Sequence, residues 1–148
     1  MDNQKKQFKF LFSKVAQEHG FKAAFGGWYK ESLECIVVLQ LQKSNYGNYC
    51  DLNVKTYIQG VFNRRYVVNK NLVKNAIGHI FTRQPQAYNS TLDLDDLMSD
   101  ETRKMNLENL FKEFIVPDTT KTLSRAGIQK LAAEGEFILP AIREELGL

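Results

Sequence analysis

Two runs, LECIVVLQL at 33–41 and CDLNVKTYI at 50–58, flank the polar stretch QKSNYGNY and constrain the fold more than any other part of the chain. In the second run Cys50, Leu52, Val54 and Ile58 fall on one side of a period of two, and Tyr49, Asp51, Asn53, Lys55 and Tyr57 on the other. Side chains of a strand alternate between faces, so this is a strand with one apolar and one polar side. In the first run Leu33, Cys35, Val37, Leu39 and Leu41 alternate with Glu34, Gln40 and Gln42, but Ile36 and Val38 make its middle apolar on both sides. Such a strand has to be covered on both faces. The two form a hairpin, and the stretch between them predicts a loop in which Asn45, Gly47 or Asn48 takes positive φ. One Gly between two strands cannot supply the successive amides and the helix start that a phosphate-binding loop needs.

The flanking segments set what this hairpin packs against. Phe8, Leu11, Phe12, Val15 and Ala16 recur at helical spacing with Lys5, Lys6, Lys9 and Lys14 among them, predicting a helix over 3–18 stopped by Gly20. FKAAFGGWYKE is aromatic and β-prone but broken by Gly26 and Gly27, which suits a strand with a bulge or a tight bend. Between 60 and 83 the pattern fits strand or helix; a fourth strand is read over 75–83. Ser99 ahead of Asp100 and Glu101 starts a helix whose stripe of Leu107, Leu110, Phe111, Phe114 and Ile115 is expected to end before Pro117. A further helix around Leu123, Ile128 and Leu131 stops near Gly135, and Pro140 opens a last short one. Strands followed by helices predict an α+β fold: an antiparallel sheet of about four strands with the N-terminal helix and C-terminal helices packed against it.

A chain of 148 residues, 43% hydrophobic and 25% charged, matches one globular domain over 1–148. The opening MDNQKKQFKF lacks the apolar core of a secretory signal, and the longest apolar run, CIVVL, is too short to cross a bilayer, so a soluble cytoplasmic protein with no membrane partner is expected. In the hairpin register Cys35 and Cys50 lie roughly 20 Å or more apart, too far for a disulfide. With His19 and His79 they form no zinc-ligand spacing. The net charge of +3 conceals an asymmetry: residues 1–83 carry 13 basic and 5 acidic side chains, residues 84–148 carry 7 and 12, and Leu52 to Leu92 holds no acid at all. Such a split marks an anionic partner or two faces of one domain that attract each other.

Several of these segments together, GFK followed by WYKE, then LQLQKSNYGN, then His79 and Arg83 within GHIFTR, LDLDDLMSDE and the closing FILPAIREELGL, resemble the bacterial domain of unknown function family 4304 over nearly the whole chain. The resemblance implies one α+β domain in a stand-alone bacterial protein. It implies no activity, cofactor or catalytic residue, and it says nothing of Arg64 and Arg65.

The chemistry-bearing residues are few. His79 is the better candidate base, but no GxSxG elbow accompanies it, and Cys35 sits within a core pattern. His79 and Arg83, four apart, share a face whether the segment is strand or helix; they could hold a carboxylate or phosphate, or serve as a buried histidine and a structural ion pair. The run DLDDLMSDE lacks the glycine and ligand spacing of an EF-hand, and Asp100 and Glu101 are accounted for by the helix start. Lys43, Tyr46 and Asn48 form the rim of the hairpin loop. The expectation is a non-catalytic bacterial protein-interaction domain, immunity-like in its role, with no cofactor or metal. Two alternatives stand beside it: binding of nucleic acid or an anionic ligand through the basic 52–92 region with Arg64 and Arg65, and an enzyme of unrecognised class centred on His79 and Arg83.

Overall fold

The predicted hairpin forms the centre of the sheet: β3 (Cys35–Lys43) pairs antiparallel with β4 (Cys50–Ile58) over their whole length, with Cys35 opposite Ile58 and Lys43 opposite Cys50. The computed structural model describes residues 2–136 and 138–148; Met1 and Phe137, the first residue of FILPAIREELGL, lie outside them. Ahead of the hairpin come α1 (Asp2–Glu18), β1 (Lys22–Ala24) and β2 (Gly27–Glu31). After it come α2 (Lys70–Lys74) and β5 (Ile80–Arg83), then α3 (Asp100–Leu110), α4 (Val116–Thr122), α5 (Arg125–Ala133) and α6 (Pro140–Glu145). The sheet is an antiparallel meander in the order β1-β2-β3-β4-β5. The α+β architecture is therefore as expected, with five strands rather than about four.

The extra strand arises because FKAAFGGWYKE folds back on itself. Phe25 (φ 51°) and Gly26 (φ 81°) both take the left-handed conformation of a two-residue hairpin turn, leaving Ala24 opposite Gly27. Gly27 is fixed for a different reason: a Cβ there would meet Val73 Cγ1 at 2.7 Å and the Leu39 carbonyl at 2.8 Å.

One face of the sheet carries the helices. Val37, Leu39, Leu52 and Val54 pack with Phe8, Phe12, Val15 and Ala16 of α1 and with Leu107, Leu110 and Phe111, while Cys35 and Ile58 pack with Ile128 and Ile142. Phe12 lies at the centre, its ring 4.7 Å from Trp28 and 5.4 Å from Phe111 between centroids. α1 closes where Gly20 turns left-handed and the Phe21 amide donates back to the Ala16 carbonyl at 3.1 Å. The opposite face is covered over only part of its area, where Ile36, Val38 and Tyr57 lie beneath Leu72, Val73 and Tyr66.

Three further expectations are corrected. None of Asn45, Gly47 and Asn48 has positive φ. Residues 44–49 make a six-residue loop closed by Ser44 N–H donating to the Tyr49 carbonyl at 2.9 Å, a length that reverses the chain without left-handed residues. Residues 75–83 are strand only from Ile80, because α2 ends at Lys74 and Gly78 (φ 79°) lies against the backbone of Thr56. The helix expected to end before Pro117 continues through a π-helical turn, Phe111–Ile115, into α4. Pro117 has no N–H to give and its ring crowds the carbonyl four residues back; the wider turn relieves both demands.

Candidate functional site

The residues singled out in the sequence fall into separate places. His79 lies beneath the segment 60–68, nine-tenths buried. Its Nδ1 accepts from the Ile58 amide at 2.8 Å, so Nε2 carries the proton and donates to Tyr66 Oη at 3.1 Å, and that hydroxyl donates to the Val61 carbonyl at 2.8 Å. Burial, then the nearby Arg64 charge, push its pKa down to about 4. At neutral pH His79 is uncharged with both ring nitrogens engaged.

Arg83 shares the sheet face of His79 but lies on its uncovered part. Its Nε donates to Asn53 Oδ1 at 2.9 Å and its Nη2 to Gln42 Oε1 at 3.2 Å, while Nη1 is 3.8 Å from Asp51. Four strand residues separate it from His79, roughly 13 Å of backbone. Its carboxylate neighbour is the cross-strand Asp51 rather than the acidic run that follows.

Lys43 stands at an odd-numbered position of β3 and so on the helix-bearing face, away from Arg83. Tyr46, at the tip of the loop, is 94% exposed. Asn48 is structural: its Nδ2 donates to Gln4 Oε1 of α1 and to Asp95 Oδ1, both at 3.2 Å, and its carbonyl accepts from the Leu94 amide at 2.8 Å. The hairpin loop is thus tied to α1 and to the acidic segment at once. Arg64 and Arg65 line a separate 190 Å3 pocket with Asn69 and Asn71. Burial pushes the thiols of Cys35 and Cys50 up to about 12, so neither is a thiolate near neutral pH.

A mostly apolar concavity lies elsewhere, between α1 and the β1–β2 hairpin. Lys6, Lys9, Phe10 and Ser13 recur at helical spacing along one wall, Ala23, Ala24 and Phe25 make the other, and Trp28 lies at the base with its indole donating to Ser13 Oγ at 2.9 Å. The groove encloses about 490 Å3. Phe10, off the apolar stripe of α1, is 74% exposed, and Phe25, in the β1–β2 turn, is 51% exposed. Lys9 also borders a 190 Å3 cleft with Lys5, Lys43, Leu41 and Tyr49, and among the described residues no acidic side chain lines either concavity. Lys74 reaches the same place from α2: the point where a Gly26 Cβ would sit is 3.5 Å from Lys9 Nζ and 3.9 Å from Lys74 Nζ. Among the described residues no carboxylate lies within 4.0 Å of either ammonium group. Two segments far apart in the chain, α1 and the end of α2, therefore bring positive charge to the turn end of one apolar groove.

Sequence reasoning took Lys6 and Lys9 as the solvated side of an amphipathic helix and missed this site. The available signal was Phe10, a large apolar residue off the stripe of Phe8, Phe12, Val15 and Ala16, paired with a second aromatic in a glycine turn.

Residues 12–121 match the model of a family described as a domain of unknown function, DUF4304. The match takes in the whole sheet, α3 and most of α4, while α5 and α6 lie beyond it. No curated protein and no solved structure matches the chain.

Proposed function

The chain belongs to the DUF4304 family, whose description carries no activity, and from its own surface we propose that it is a non-catalytic interaction domain for an acidic protein partner. The observation that carries this reading is the groove between α1 and the β1–β2 hairpin, lined by no acid among the described residues, where Lys6 and Lys9 share a wall with exposed Phe10 and Lys9 and Lys74 meet at Gly26 beside exposed Phe25. An apolar centre with a charged rim is the anatomy of a protein interface, and like charges gathered without a carboxylate raise the on-rate and select for an acidic patch. The groove is open along its length, which suits a macromolecule better than an enclosed small ligand. In this proposal the domain works in the bacterial cytoplasm and acts by covering its partner, in the manner of an immunity protein.

Single-stranded nucleic acid offers the same charge and bases to stack on Phe10 and Phe25. Arg64 and Arg65 line a pocket of their own with Asn69 and Asn71 and line neither concavity beside α1, so they extend no single track from the groove, and this favours the protein reading.

The test compares the immobilised wild-type chain with Lys6→Glu plus Lys9→Glu and, as a control, Tyr46→Ala. The wild type and the control are expected to retain the same acidic protein from bacterial lysate, released by salt, and the double variant to lose it. Retention by all three alike would overturn the reading. Salt-dependent binding of a labelled single-stranded RNA, lost in the double variant, with no protein retained, would replace it with the nucleic-acid alternative.

A further inference from the structure

We infer that the groove receives an extended segment of the partner as a sixth strand, paired to the free edge of β1, with apolar side chains alternating into the groove and an acidic group beside Gly26. This rests on the protein-interaction reading above and specifies the form the partner takes.

β1 is the edge of the sheet, paired on one side only, with β2. In a two-residue hairpin the closing pair, Ala24 opposite Gly27, is hydrogen-bonded, and the pairs alternate from there. Ala23 opposite Trp28 is then the pair whose amide and carbonyl point outward, and its N–H and C=O make no backbone bond elsewhere among the described residues. An outward donor and acceptor on one residue are what an added strand needs to begin a ladder.

The side chains beside this edge agree with an added strand. Ala23 stands opposite Trp28 on the helix-bearing face, and its methyl leaves open the space between β1 and α1 that a larger residue would fill. Side chains of a paired strand alternate between faces, so every second residue of the incoming segment would enter the groove, between Phe10 and the base at Trp28. At the turn end of the groove the ammonium groups of Lys9 and Lys74 converge, and among the described residues no carboxylate lies within 4.0 Å of either. Two like charges held this close are relieved by an anion, which places an acidic side chain or a terminal carboxylate of the segment there. Ala23 supplies only two ladder bonds, so the lysines and the apolar contacts carry the remaining affinity.

The test uses the full chain and a fluorescein-labelled octapeptide of alternating Glu and Leu, followed by fluorescence anisotropy. Binding is expected to weaken with salt and to be absent for the Lys-Leu counterpart. Two peptides methylated on alternate backbone nitrogens, one in each frame, are expected to differ: the frame whose amide faces Ala23 loses at least about tenfold in affinity, the other keeps it. Ala23→Pro removes the outward donor at an edge position that tolerates proline, and is expected to lose a similar factor with its melting transition retained. The Ala23 amide should exchange more slowly in the presence of the parent peptide. Equal binding of both methylated peptides, or no binding of the parent, would overturn strand addition. If the wild type still retained an acidic protein that Lys6→Glu plus Lys9→Glu lost, the interaction reading would stand without it.

Discussion

The two faces of the sheet are held down by different physics. On the helix-bearing side, aromatic and aliphatic side chains meet directly, and Phe12 is fully buried between Trp28 and Phe111. The other side is covered by residues 60–76, of which only Lys70–Lys74 is α-helical, so much of the backbone there has no ladder or helix of its own to satisfy it. Side chains from the sheet do it instead. Tyr57 Oη donates at 2.6 Å and Lys55 Nζ at 2.9 Å to the Leu72 and Val73 carbonyls, left open in the last turn of α2, and Gln59, just past β4, both donates to and accepts from the backbone of Tyr66. A helix satisfies its own backbone and needs only an apolar partner, whereas an irregular covering segment needs donors and acceptors in register beneath it. This is why Lys55 and Tyr57, on the polar side of β4 by pattern, are buried in fact.

The comparison can be broken first at its strongest point. Phe12→Ala leaves a cavity among three aromatic rings and is expected to cost about 3–5 kcal/mol in denaturant unfolding, with the whole chain affected alike. A loss under about 1 kcal/mol would mean the aromatic cluster is not the centre of the fold.

The covering segment should show a dependence on pH that passes through His79. The folded pKa of His79, lowered to about 4 from an ordinary 6.5, means that the unfolded chain takes up its proton first as pH falls. Stability contributed by neutral His79 is complete above pH 6.5 and is lost as pH drops through 6.5 toward 4, by about 3 kcal/mol at most. His79→Gln, compared with wild type across that window, should remove this part of the slope; parallel curves would show that His79 does not titrate there.

The smallest effect sharpens the distinction. Tyr57→Phe keeps the ring and strands the Leu72 carbonyl, at an expected cost of about 1–2 kcal/mol. Amide exchange should accelerate within residues 69–76 while the amides of α1 and β3 keep their protection. Uniform acceleration over the chain would place the covering segment and the helical side in one cooperative unit.

What could be read from the residues alone follows from short-range periodicity. The pairing of β3 with β4 as a hairpin, the burial of Ile36 and Val38 on the second face of β3, the Gly20 stop of α1 and the Ser99 cap of α3, whose hydroxyl accepts from the Thr102 amide at 3.1 Å, each depend on a few neighbouring residues and are visible in the pattern. The candidate groove depends on residues 6–13, 23–28 and 74, and no local pattern connects them. The burial of Lys55, whose pKa desolvation lowers to about 8, is likewise invisible locally, because it is imposed by a segment 18 residues further along the chain.

By itself, then, the sequence determined the central hairpin, α1, the start of α3 and the division of charge between the two halves, since backbone propensity and side-chain alternation act over a few residues. Only the tertiary structure decided which polar residues are buried, that β1 is left with an open edge, and that Lys9 and Lys74 meet at Gly26. Those outcomes depend on which distant segment covers which face, and long-range packing leaves no periodic trace in the chain.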